Sequence, residues 1–211
     1  MTAAADDAEG PTPIPAPVTR RGQAKAARRR ELLAAAARLM AERGFAGVRL
    51  EDIGAAVGIS GPAMYRHFSG KDAVLAEMLV DISQRLFGGG QDVLSESDDA
   101  ETALRGLIAF HVRFATTEPE LITVQDRDMS SLTPEARREV RRLQRKYVEL
   151  WTDVLVRLSD PMPGDPMPRQ EAQTRVQAVF GLINSSPRLP ELDTARQSAL
   201  LAEMAHSALL S

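Results

Sequence analysis

The chain has 211 residues, no cysteine and a formal net charge of −3 at pH 7. That length supports a sizeable core in one or two compact units, and the missing thiols exclude a disulfide framework and any thiolate metal site. No apolar run approaches the roughly 20 residues of a membrane span, and the N-terminus is acidic and proline-rich rather than basic then apolar, so no membrane or secretory route is indicated and a cytoplasmic location is expected.

Residues 1–19, MTAAADDAEGPTPIPAPVT, have the composition of a disordered tail. Basic charge follows at once. Residues 20–75 hold 11 Lys and Arg against five acids, whereas the tail carries −3 and everything after residue 75 carries −6. A basic unit joined to an acidic body is the electrostatic pattern of a nucleic-acid-binding head on a body with another task. The run RRGQAKAARRR is either an arm on a phosphate backbone or minor groove, or a solvated charged face.

A first helix is expected over residues 26–43, with Leu32, Leu33, Ala36, Leu39 and Met40 as its inner stripe. Arg28, Arg29 and Arg30 then fall in its first turn. Positive charge there opposes the helix macrodipole, which suggests that these arginines serve something besides the helix, and Arg28 is taken as a DNA contact. Gly44 ends the helix and Phe45 plugs the core. Arg49 occupies the N-cap of the next helix, where Ser, Thr, Asp or Asn is favoured. It gives up a capping acceptor and offers a phosphate contact instead.

Leu50, Ile53, Ala56 and Val57 give the second helix one apolar face, and Gly58 ends it. Ile59 drops into the core, Ser60 is the N-cap of a third helix over residues 61–68, and Pro62 sits in that helix's first turn. Two short helices joined this way form a helix-turn-helix, whose second helix brings its N-terminal residues to base edges. Gly61, Pro62 and Ala63 have no polar side-chain atoms and can offer only backbone approach or apolar contact. Met64 and Phe68 face the core. Tyr65, Arg66 and His67 turn outward, and with Lys71 they can donate to phosphates; His67 could equally be structural. Arg66 and Arg49 remain as the side chains able to pair bidentately with guanine.

Helices are then expected over residues 71–87, 101–117, 118–128, 133–158, 170–185 and 192–210. Gly88-Gly89-Gly90 lacks the strand and the Lys-Ser/Thr of a phosphate loop and reads as a flexible connection. SDPMPGDPMP is a loop. Val176, Val179, Phe180 and Ile183, broken by Ala178 and Gly181, and Leu200, Leu201, Met204, Ala205, Ala208 and Leu209 make the last two helices candidates for a dimeric four-helix bundle. The alternative is that both stripes pack on their own core. A ligand pocket is placed among the helices after Gly90, lined by Phe110, His111, Phe114, Tyr147, Trp151, Phe180 and Asn184. LITVQDRDM forms a polar insertion near its mouth. Three scattered histidines, no Gly-x-Ser-x-Gly and no metal-ligand spacing argue against an enzyme, a cofactor or a metal site.

The segment RRRELLAAAARLMAERGFAGVRLEDIGAAVGIS, then Tyr65-x-His67-Phe68, then Lys71-Asp72, resembles the N-terminal domain of the TetR family of transcriptional regulators over residues 28–79. The resemblance implies an all-α protein: a disordered tail (1–19), a three-helix helix-turn-helix DNA-binding domain with a basic arm (20–70), and a helical ligand-binding and dimerisation domain (71–211). It also implies a homodimeric repressor on a palindromic double-stranded DNA operator, released by a small-molecule effector. By the same resemblance Tyr65, His67 and Lys71 map to phosphate-contacting positions. Many relatives carry an Arg-Gly-Arg-Pro minor-groove hook where this chain has Gln23 and Ala24. The C-terminal half, with GLINSSP, loosely resembles regulators of fatty-acid and branched-chain amino-acid catabolism that sense acyl-CoA thioesters. A hydrophobic drug-like effector, or a helical protein-interaction module, are the alternatives.

Overall fold

The computed structural model describes residues 20–159, 167–190 and 192–210. The tail 1–19 and most of the proline-rich loop lie outside the described residues. Those residues form nine α-helices and no strand, matching the all-α expectation: α1 Arg20–Arg43, α2 Leu50–Ala56, α3 Gly61–Met64, α4 Lys71–Ser95, α5 Ala100–Thr117, α6 Pro119–Asp128, α7 Pro134–Ser159, α8 Arg169–Ile183 and α9 Thr194–Leu210. No helix among the described residues is long and apolar enough to cross a membrane.

Two cores organise the chain. The first joins α1, α2, α3 and the N-terminal half of α4 through Leu32, Ala36, Met40, Ile53, Met64, Phe68, Leu75 and Leu79, and continues into Leu121 and Val124 of α6 and Val140 of α7. The second gathers α5, α7, α8 and α9 around Trp151, with Leu104, Leu107, Val154, Val176, Ile183, Leu201 and Leu209. α4 runs between the two, and α6 packs on α1 from the body's side.

Three local expectations are corrected. First, α1 begins at Arg20, so Arg28–Arg30 lie inside the helix and not in its first turn. Two of them face inward. Arg28 donates to Val57 O at the end of α2 (2.9 Å) and pairs with Glu31 (2.6 Å). Arg29 pairs with Glu77, donates to His67 O (2.9 Å) and lies over the Phe68 ring.

Second, the regular part of α3 ends at Met64, four residues short of expectation. The Met64 carbonyl accepts from both His67 N–H (2.8 Å) and Phe68 N–H (3.0 Å), and this tight turn seats Phe68 in the core beneath Arg29.

Third, the triple glycine does not interrupt α4, which runs unbroken to Ser95. A Cβ on Gly89 would lie 2.3 Å from the Phe110 ring, and one on Gly90 would lie 2.8 Å from the Tyr147 ring. The helix tolerates residues that each cost about 1 kcal/mol relative to Ala because α5 and α7 press aromatic rings onto its bare backbone.

Candidate DNA-binding face and effector cavity

The helix-turn-helix is closed by backbone geometry. Gly44 and Gly58 adopt φ of 78° and 72°, the left-handed conformation expected where α1 and α2 stop. Arg49 is the N-cap of α2 and exposed; its backbone N–H is held by Asp52 Oδ2 at 2.9 Å, half of a capping box. Ser60 is the N-cap of α3: its carbonyl accepts the first helical bonds from Ala63 (2.9 Å) and Met64 (3.1 Å), and its hydroxyl makes no capping bond.

The buried face of α2 is Leu50, Ile53 and Gly54, not Ala56, which is exposed. Gly54 has no side chain because Met64 and the Ile59 carbonyl occupy that space. α2 and α3 therefore pack closely, and Glu51 in the first turn of α2 lies against Gly61, the first residue of α3. Tyr65, 57% exposed, donates its hydroxyl to Glu51 Oε1 at 3.0 Å, and this carboxylate raises the phenol above its ordinary pKa.

Ser60, Pro62, Tyr65, Arg66 and Arg49 are exposed around this junction, while Gly61, Ala63 and His67 are half-buried. Lys71 is placed differently. Its ammonium donates to Phe45 O (3.0 Å), Ala46 O (3.4 Å) and Val48 O (3.3 Å) and sits over the Phe45 ring, tying the α1–α2 loop to α4. Arg28 is likewise engaged by Val57 and Glu31.

In the body, a cavity of about 210 Å³ is lined by Ser83 and Leu86 of α4, His111 and Phe114 of α5, Leu121, Ile122 and Gln125 of α6, Gln144, Tyr147 and Val148 of α7, and Phe180 and Asn184 at the end of α8. A larger surface groove of about 800 Å³ between α4 and α7 has charged walls, including Lys146, Glu149, Asp153 and Arg157. The smaller cavity has the chemistry of a ligand site: mostly apolar and aromatic walls with a few polar groups.

His111 is its centre. Its ring stacks on Phe180 (centroids 4.7 Å apart, 8° between planes), and Phe180 in turn stacks on Tyr147 (5.4 Å). Nδ1 lies 3.3 Å from Tyr147 Oη and Nε2 lies 3.2 Å from Asn184 Oδ1. These contacts fit the tautomer in which Nε2–H donates to Asn184 and Nδ1 accepts from Tyr147. Burial lowers the His111 pKa to about 4, only partly opposed by the Asn184 hydrogen bond. The cavity wall is thus uncharged at neutral pH.

Of the residues expected at a ligand pocket, His111, Phe114, Tyr147, Phe180 and Asn184 line this cavity together. Trp151 lies fully buried behind them, edge-on to Phe180 at 5.0 Å, and Phe110 packs on Gly89 instead. Gln144 carries no signal of its own in the sequence, because nothing in the α7 pattern separates it from a solvated position. Gln125 was visible only as part of the polar insertion. Neither glutamine has a hydrogen-bond partner among the described residues, and both are half-buried.

The rest of that insertion is structural. Asp126 pairs with Arg188 (3.2 Å). Arg127 reaches from α6 to the carbonyls that end α1, bonding Met40 O and, at 3.2 Å, Ala41 O, while pairing with the buried Asp128 at 3.1 Å.

The His111 environment has a measurable consequence. Unfolding restores an ordinary histidine pKa of roughly 6.5, so the unfolded chain binds the extra proton first as pH falls. Stability from this group is complete above pH 6.5 and is lost progressively down to about pH 4, by about 3 kcal/mol in total. Urea melts from pH 7.5 to 4.5 should show the decline above the range where the carboxylates titrate. His111→Gln should flatten it.

A helix-turn-helix head with donors exposed at its helix ends, set on an all-helical body with an aromatic cavity, is the architecture of a ligand-responsive DNA-binding regulator. Residues 32–78 match the model of the bacterial regulatory proteins of the tetR family, and residues 97–188 match that of the tetracyclin repressor-like C-terminal domain. The transcriptional repressor KstR2 of Rhodococcus jostii is 30% identical over 145 residues, covering 68% of this chain and 70% of that protein. This chain belongs to the TetR family of transcriptional regulators.

Solved structures agree on the fold. A TetR-family regulator from Bordetella parapertussis superposes with a TM-score of 0.75 at 23% identity, covering 87% of this chain and 94% of that one. AibR, solved with isovaleryl coenzyme A and operator DNA, gives 0.69 at 18% identity, covering 84% and 97%. FadR of Bacillus subtilis, solved with stearoyl-CoA, gives 0.66 at 15% identity, covering 85% and 98%.

Proposed function

We propose that this regulator is a cytoplasmic homodimeric repressor that leaves a palindromic operator when the acyl portion of a coenzyme A thioester enters the His111 cavity. The observation that carries the reading is the composition of that cavity. Its walls hold stacked aromatic rings, two half-buried glutamines without hydrogen-bond partners among the described residues, and no formal charge. At about 210 Å³ it is smaller than the roughly 300–1,000 Å³ of a site that engulfs a whole ligand. It suits a neutral acyl or ring fragment whose charged nucleotide stays outside. AibR and FadR, which share the fold, were solved with such thioesters.

Coupling follows from α6. Leu121, Ile122 and Gln125 form one wall of the cavity, and Arg127, half a turn further on, grips the end of α1 in the head. A ligand that displaces α6 moves α1 with it, and so the spacing of two heads on one operator. The dimer would form on the outer face of α8 and α9. Val176, Val179, Ile183, Leu201, Ala205 and Leu209 are buried in the protomer's own core, and Ala178, Gly181, Leu200, Met204 and Ala208 remain exposed. Small residues on such a face let helices approach closely, and a two-fold axis matches a palindromic site.

The test is a mobility shift on the DNA upstream of the chain's own gene, with thioesters of graded acyl length and with free coenzyme A. The reading requires a retarded complex that one thioester class dissolves and free coenzyme A does not. Release by free coenzyme A alone would put recognition on the nucleotide and contradict it.

A further inference from the structure

The N-terminal turn of the recognition helix is chemically bare. Gly61, Pro62 and Ala63 carry no polar side-chain atom, yet this end of a helix-turn-helix is the one that meets base edges. The hydrogen-bonding group that stands there belongs to the other helix. Glu51, in the first turn of α2, is exposed, and its Cγ lies 3.1 Å from where a Cβ on Gly61 would be. Its carboxylate accepts from the Tyr65 hydroxyl at 3.0 Å. The side chain is therefore held between the first residue of α3 and the residue that caps its end. Of the basic side chains near this junction, Arg49 and Arg66 are exposed, and the hydrogen bond that holds the Glu51 carboxylate comes from Tyr65.

A carboxylate on a surface that approaches phosphates is repelled by them unless a donor receives it. Ionised, it can only accept hydrogen bonds. In the major groove the exocyclic amine of cytosine is the donor that Glu and Asp read, whereas Gln and Asn pair bidentately with adenine. We infer that Glu51, steered by Tyr65, reads a cytosine at one position of each operator half-site. It supplies the base-specific hydrogen bond that Gly61, Pro62 and Ala63 cannot. The inference rests on the operator-binding reading above and adds a residue from α2 to the specificity of α3.

Random-site selection with the full-length protein tests it, run in parallel on the wild type, Glu51→Gln and Glu51→Ala. The wild type should select cytosine at one symmetry-related position per half-site. Glu51→Gln should move that preference to adenine. Glu51→Ala should erase it, with a loss of about tenfold in discrimination at that position and unchanged preferences elsewhere. Circular dichroism and non-specific binding at low salt establish that each variant is folded.

If both variants keep the wild-type base preferences and simply bind every sequence more tightly, Glu51 only repels phosphate and the inference is overturned. If the wild type selects no sequence, the operator reading fails and takes this one with it. A wild type that selects strongly beside variants with identical preferences sinks the inference alone.

Discussion

Gly54→Ala is expected to weaken operator binding at least tenfold while leaving the body of the protein folded. In an ordinary helix the same change stabilises by about 1 kcal/mol. Here the new methyl would lie 2.5 Å from Met64 Cγ and 2.8 Å from the Ile59 carbonyl oxygen. The side chain of Met64 could swing away; the carbonyl cannot. Ile59 is fixed in the turn because its N–H donates to Gly54 O at 2.8 Å, so α2 and the turn are tied together at the point where the methyl would intrude. Overpacking of this kind costs about 1–3 kcal/mol, and it is relieved by pushing α3 off α2. That displaces Tyr65 and Arg66 relative to Arg49. Anisotropy of a labelled operator should show at least a tenfold loss of affinity, roughly 1.4 kcal/mol or more. Near-ultraviolet circular dichroism from Trp151, deep in the second core, should not change. Wild-type affinity in this variant would mean that the close contact between α2 and α3 is not what positions the recognition helix.

Arg127→Ala is expected to destabilise the chain and to disconnect the cavity from the head. The guanidinium satisfies two carbonyls at the end of α1 and is the counter-charge of Asp128, a carboxylate whose side chain is 8% exposed. Removing one partner of a buried pair leaves the other charge uncompensated, which costs about 3–5 kcal/mol when both are buried. Arg127 itself is 42% exposed, so water replaces part of the interaction, and a loss of about 2 kcal/mol is the expected scale. Urea melts measure it, and adding Asp128→Asn should restore part of the loss because the orphaned charge is gone. The functional effect is separate. The double variant should still bind operator, but effector should release it poorly, because coupling between two sites exists only where an element responds to both. Full stability in Arg127→Ala would show that the bridge is ornamental, and wild-type release in the double variant would place the coupling elsewhere.

The head was largely legible in the sequence. Glycines at positions 44 and 58, the apolar residues at 50 and 53, and the pair Met64 and Phe68 impose their geometry locally, through φ angles and helical spacing. What failed there was the assignment of charge. Arg29 and Lys71 look like surface cations in a linear reading, and both are turned inward by partners that lie 48 and 23–26 residues away, Glu77 and the α1–α2 loop carbonyls. Long basic side chains can lie over aromatic rings and still reach distant acceptors, and periodicity does not register that. Gly54 was overlooked for the same reason: its need to be glycine is a contact with α3.

In the body, the ring cluster is legible because His111, Tyr147 and Phe180 fall on the inward sides of three helices. The triple glycine in α4 reads as a break in the sequence because glycine runs ordinarily mark breaks. Here Phe110 and Tyr147, themselves expected at the ligand, press on Gly89 and Gly90. Gln144 and Trp151 show the other boundary of the method. Which side of a ring cluster faces an empty space depends on the packing of α4, α6 and α7 together, and no single helix records it.

In the proposed mechanism, occupancy of the His111 cavity and release of DNA are one event. The chain has a single tryptophan, Trp151, packed edge-on against Phe180, His111 and Tyr147. Its fluorescence therefore reports on the cavity without a label. The decisive measurement is one titration of an acyl-CoA thioester into the protein–operator complex, following Trp151 emission and the anisotropy of the labelled operator together. The two signals should change with the same midpoint. Operator release with unchanged Trp151 emission would contradict it, because the effector would then act from a site other than this cavity.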